Sequence, residues 1–131
     1  MNFISVTIPV ADPGGDNKKI VLFKAPTDGN GGGVTLKAAQ AVNWATFAGA
    51  GTTFTYQLLK YSAAGTPAAN GTVSNILGSA SPWASGVPQS FTLVAAYQFL
   101  DAGESLVLDY QEIGAGNPTL SSISLDLQMG K

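Results

Sequence analysis

The segment Ser90–Met129 reads SFTLVAAYQF-LDAGE-SLVLDYQEI-GAGNP-TLSSISLDLQM. Its last run sets Ile123, Leu125, Leu127 and Met129 on one side and Ser122, Ser124, Asp126 and Gln128 on the other. That period of two is the pattern of a β-strand with one face buried. Ser90–Phe99 and Ser105–Ile113 read as two further strands. The links Leu100–Glu104 and Gly114–Pro118 are short, glycine-bearing and hairpin-like.

The same texture continues towards the N-terminus. Thr52–Tyr61 (TTFTYQLLKY) puts Phe54, Tyr56 and Leu58 opposite Thr55, Gln57 and Leu59. Thr72–Leu77 is a short strand within Ser62–Gln89, a stretch rich in small residues. Val34–Trp44 (VTLKAAQAVNW) contains good helix formers, with Leu36, Ala39, Gln40 and Asn43 near helical spacing, but that face is half polar and the segment reads as strand. Lys19–Ala25 (KIVLFKA) is nearly continuously apolar, which predicts a strand covered on both faces. In Phe3–Val10, Ile4, Val6, Ile8 and Val10 alternate with Ser5, Thr7 and Pro9. Ala11–Asn17 (ADPGGDN) and Thr27–Gly33 (TDGNGGG) carry turn chemistry. Seven or eight strands without a long helix predict an all-β fold, an antiparallel β-sandwich of jelly-roll type, spanning residues 1–131 as one domain.

Composition narrows the chemistry. The chain has 131 residues and a net charge of −2, with no cysteine, histidine or arginine. A domain of this size buries about two-thirds of its unfolded surface, enough for a core without disulfides. Only 11% of residues are charged, against about 25% in ordinary soluble domains, and Lys60 is the only charged side chain between Ala38 and Leu100. Polar residues interrupt every apolar run well before the roughly 20 residues that a spanning helix needs. Met1-Asn2-Phe3-Ile4 lacks the basic start of a signal peptide. The expectation is a soluble protein with no membrane association. Clustered cations for phosphate contacts are missing apart from Lys18-Lys19, so no nucleic-acid partner is expected.

Without histidine or cysteine, the usual general base and the thiol nucleophile are absent. Among the carboxylates, Asp109 and Glu112 lie three apart on one strand and so face opposite ways, while Asp101 and Glu104 bracket a turn. No enzyme activity, catalytic residue or cofactor is expected. Asp12, Asp16 and Asn17, or Asp28 and Asn30, have the oxygen donors of a calcium loop. Their spacing matches no EF-hand, and Asx residues populate turns for conformational reasons, so no metal site is assigned. Gly31-Gly32-Gly33 lacks the Lys-Ser/Thr and helix of a phosphate loop. The aromatic candidates are Trp44 and Trp83, the latter in SPWASGVP with Val87 and Pro88. These four residues are the candidate interface, because aromatics are enriched at protein contacts; the competing reading is a core plug or loop anchor.

From Gly71 to Gly116 the chain resembles small β-sandwich proteins of tailed-phage virions, of the head-decoration or head-associated type. The likeness is carried by Trp83, Gly86, Pro88, Phe91, Thr92 and Leu93, then by Leu100, Ala102, Gly103, Glu104, Leu106 and Leu108, and it covers roughly the last 60 residues. It implies a structural protein on the capsid surface of a virion, made in the host cytoplasm. It also implies docking onto the major capsid protein or another virion protein, assembly as a homo-oligomer with a trimer favoured, and no catalytic residues. A surface of Ser, Thr, Ala, Asn and Gly orders few long side chains on docking, so a contact is expected within Ala38–Leu100. The alternative is a carbohydrate- or receptor-binding sandwich associated with a tail or fibre, using Trp83, Asp28 and Asn30.

Overall fold

The computed structural model describes residues 3–11, 17–27, 32–47, 49, 54–78, 82–112 and 120–130. Its strands are β1 (Phe3–Ala11), β2 (Asn17–Lys24), β3 (Gly33–Asn43), β4 (Phe54–Tyr61), β5 (Pro67–Gly78), β6 (Gln89–Ser90), β7 (Phe99–Asp101), β8 (Ser105–Glu112) and β9 (Leu120–Met129). They form two antiparallel sheets. Sheet A runs β1-β9-β3, with β6 and β7 both on the far edge of β3, and sheet B runs β2-β8-β4-β5. The first half of the chain pairs with the second half in reverse order: β1 with β9, β2 with β8, β3 with β7 and β6, β4 with β5. A long antiparallel ribbon rolled up this way is a jelly roll.

The expected β-sandwich is therefore present, with nine strands among the described residues rather than seven or eight. Three local expectations change. Ser90–Phe99 is not one strand. After β6, Leu93 bridges to Ser74 of β5, a 3-10 turn follows at Ala95–Tyr97, and Phe99 rejoins sheet A opposite Thr35. The turn at Asp101–Glu104 forms, with Glu104 N–H donating to the Asp101 carbonyl at 3.0 Å. It joins sheet A to sheet B, however, and is not a hairpin. β8 and β9 likewise lie in different sheets, so Gly114–Pro118, which falls outside the described residues, does not join hairpin partners. Finally, β2 is a sheet edge and leaves Val21 exposed.

Val34–Asn43 is strand, as its half-polar face required, and Trp44 lies just beyond its end. The helical spacing has a specific cause. A register shift between Leu36 and Ala38 inserts an extra residue into β3, which returns Ala39 to the face of Leu36. Leu36, Ala39, Ala41 and Asn43 are then all buried.

The core lies between the sheets. Leu36, Ala39, Ala41, Ile123, Leu125 and Leu127 from sheet A meet Phe54, Tyr56, Leu58, Leu106, Leu108 and Tyr110 from sheet B in one cluster. Each fully buried large apolar side chain contributes about 1.5–3 kcal/mol, so this interlayer, not the sparse ion pairs, holds the fold. Among the described residues no helix is long and apolar enough to cross a membrane.

Candidate interaction surface

Two loops meet at one end of the sandwich. Phe47 and Trp83 form an isolated antiparallel bridge, with Phe47 N–H donating to the Trp83 carbonyl at 2.8 Å and Trp83 N–H to the Phe47 carbonyl at 2.9 Å. Ser85 N–H donates to Thr46 Oγ1 at 3.2 Å. Ala84–Val87 is a tight turn closed by Val87 N–H on the Ala84 carbonyl, with Gly86 at φ +78°. A positive φ at the third residue is the type II requirement that glycine meets without strain.

This arrangement separates the two tryptophans. Trp83 is 1% exposed, and its indole N–H donates to the Val87 carbonyl at 2.8 Å. It is a core plug, so its side chain is not part of an exposed surface, and the interface assignment is corrected for this residue. Trp44 is 54% exposed and Val87 50%, and Pro88 is exposed beside it. A Cβ on Gly86 would stand 3.4 Å from Trp44 Cζ3, so the Trp44 ring lies over the turn that carries Val87. The Trp44 indole N–H donates to Ser122 Oγ at 3.3 Å, and its backbone N–H to the carbonyl of Leu120, another exposed apolar residue. Trp44, Val87 and Pro88 thus share one end of the molecule. Leu120 had no local signal, because only the β3–β9 register brings it there.

Asn43, directly before Trp44, fixes the position. Its carbonyl accepts Gly86 N–H at 2.8 Å. Its buried Oδ1 lies within hydrogen-bond distance of the hydroxyls of Ser121 on β9 and Tyr56 on β4, which also lie within reach of each other. Their two protons make two bonds of this triangle at a time, at least one of them to Oδ1, while its Nδ2 has no partner among the described residues. One asparagine therefore ties the loop to both sheets. Buried networks of this kind hold geometry, because breaking one member strands the others.

Among the described residues, Asp109, Glu112 and Glu104 have structural partners. Lys19 Nζ pairs with Asp109 Oδ1 at 2.5 Å, and Gln111 donates to Asp109 Oδ2. Glu112 accepts the Tyr110 hydroxyl, and Glu104 Oε1 caps Asp101 N–H at 2.7 Å. Lys60 donates to the Phe99 carbonyl at 3.3 Å and lies 3.9 Å from Glu104. The single charge in Ala38–Leu100 is thus turned inward and partnered. Asn17 begins β2, whereas Asp12, Asp16, Asp28, Asn30 and Gly31 fall outside the described residues.

No family model matches this sequence, and no curated protein matches it. Among solved structures, a chain in a structure of infectious bursal disease virus, Gt strain, is similar at 9% identity and a TM-score of 0.39, over 96% of this chain and 32% of that one. A CocE/NonD family hydrolase from Staphylococcus aureus is similar at 14% identity and a TM-score of 0.38, over 96% of this chain and 32% of the hydrolase. The chain therefore spans about a third of the length of either neighbour. A viral chain and a hydrolase at nearly equal distance select no function, since one fold hosts many.

Proposed function

We propose that the chain is a non-enzymatic structural protein of a phage virion, a decoration or cementing protein that docks on the capsid through the patch of Trp44, Val87 and Pro88. The observation that carries this reading is a half-exposed tryptophan held at a fixed place by Asn43, Gly86 and Ser122. Aromatic anchors on rigid supports dominate binding energy, because little freedom remains to be lost on contact. The neighbouring residues of Ala38–Leu100 offer no free charge to desolvate. The likeness of Gly71–Gly116 to head-associated phage proteins supplies the setting and the partner, the major capsid protein or another virion protein, with the chain acting as a homo-oligomer on the virion surface.

The test is co-sedimentation of the purified protein with shells of the phage that encodes it. Wild type is expected to pellet with the shell, and Trp44→Ala to bind at least about tenfold more weakly, as for a hot-spot residue. Failure of wild type to bind any shell, with retention on a glycan array instead, would replace this reading with the carbohydrate-binding one. That alternative has lost an aromatic platform, since Trp83 is buried.

A further inference from the structure

The four sheet edges are unequal. On sheet B, β5 is partly covered by the segment that follows β6: Asn75 N–H donates to the Thr92 carbonyl and Val94 N–H to the Val73 carbonyl. β6 and β7, at the far edge of sheet A, have two and three residues. β2 carries Lys18, Lys19 and Lys24, half of the six lysines, and lysines on an edge oppose pairing. β1 is different: it has nine residues, pairs among the described residues only with β9, and contains no charged side chain.

The backbone of β1 can be assigned residue by residue. Trp44 N–H donates to the Leu120 carbonyl, so the even-numbered residues of β9 direct their polar groups at β3. Alternation then turns the backbone groups of Ser121, Ile123, Leu125 and Leu127 towards β1, where their partners are Val10, Ile8, Val6 and Ile4. Phe3, Ser5, Thr7 and Pro9 therefore point their backbone groups away from the molecule. Pro9 sits where its missing N–H costs no bond to β9, the edge position at which strand prolines occur. Among the described residues, nothing pairs with the outward N–H and C=O of Phe3, Ser5 and Thr7.

We propose that two copies of the chain pair antiparallel through β1, about a two-fold axis at Ser5. Ser5 faces the partner's Ser5, Phe3 faces the partner's Thr7, and Thr7 faces the partner's Phe3. All three outward donor–acceptor sets are used, and Pro9 lies beyond the paired stretch. On the core side of the sheet Ile4 meets the partner's Val6. The two apolar residues that β1 leaves most open, Phe3 at 63% and Ile4 at 45% exposed, both lie inside the pairing. The contact is isologous and closes with two copies, a two-fold arrangement in place of the trimer that the phage resemblance implies. With the axis perpendicular to the sheet, both copies display the outer face of sheet A, and with it Trp44, on one side. If the proposed capsid contact holds, the dimer docks with two anchors.

Sedimentation equilibrium tests the dimer independently of any capsid. Wild type is expected at twice the 13.3 kDa chain mass. Ser5→Pro and Ser5→Lys are expected at the monomer mass with native circular dichroism; Ser5→Lys serves if the proline variant does not fold, and Asp126 already stands beside residue 5 to receive the lysine. The register has its own test, because the chain has no cysteine. Opposed Cα atoms lie about 5.5 Å apart in a hydrogen-bonded pair, inside the disulfide range, so oxidised Ser5→Cys should form a covalent dimer. In Thr7→Cys the two thiols would be about 13 Å apart along the strands and should stay reduced. A monomeric wild type, an oligomer unaffected by either Ser5 substitution, or equal cross-linking at both positions would overturn the proposal.

Discussion

Trp83→Ala should be among the most damaging single substitutions in this protein, and Trp44→Ala nearly silent for stability. The Trp83 ring lies 6.1 Å from the Phe54 ring and 6.4 Å from the Tyr56 ring, centroid to centroid, at 1% exposure. Truncating a buried tryptophan to alanine removes transfer energy and leaves a void, together about 3–5 kcal/mol. The indole bond to the Val87 carbonyl adds little, because Val87 is exposed and its carbonyl can regain water. The void therefore sets the cost. Against a total stability of about 5–15 kcal/mol, such a loss should lower Tm on the order of 10–20 °C for a domain of this size. Trp44→Ala gives up a half-exposed ring and one 3.3 Å hydrogen bond to a serine, worth about 1 kcal/mol at most. Urea titrations followed by far-ultraviolet circular dichroism report both without depending on tryptophan fluorescence. Equal losses for the two variants, or a Trp83→Ala cost under about 1 kcal/mol, would refute the division into core plug and surface anchor.

Other positions give sharper local tests. Gly33 has φ +119°, and a Cβ there would come 2.5 Å from Phe99 Cζ and 2.8 Å from the Leu100 carbonyl oxygen; Gly33→Ala should cost about 2–3 kcal/mol in a thermal melt, from strain plus clash. Gly65, at φ +81° with open space around it, should lose only about 1 kcal/mol as Gly65→Ala. Tyr56→Phe removes the hydroxyl shared with Asn43 and Ser121 and should lower the urea midpoint by an amount equivalent to about 1–2 kcal/mol. It should also weaken shell binding if that cluster holds Trp44 in place, whereas unchanged stability would show that the hydroxyl carries no structural bond.

The alternating runs exposed most of the strands and the inward residues of β4, β8 and β9, because strand side chains alternate by geometry that each segment carries within itself. Burial of Phe54, Tyr56, Leu58, Ile123, Leu125 and Leu127 follows directly from that period. The absence of histidine and cysteine limited the chemistry with equal directness, and the charge-poor stretch proved to be one whose only cation is turned inward. Other features needed the packed molecule. Nothing local distinguishes an edge strand from a central one, so the apolar run of β2 looked like a strand covered on both faces. Nothing local marks the inserted residue in β3, which mimics helical spacing, or the break in Ser90–Phe99, where the chain bridges from one sheet edge to the other. The two tryptophans make the same point most clearly. Each sits in a small-residue setting that allows either fate, and the bridge between Phe47 and Trp83 puts one inside while the turn at Gly86 supports the other outside. Alternation is a property of neighbours along the chain, whereas sheet position and loop closure depend on partners far apart in sequence, which meet only when the ribbon rolls up.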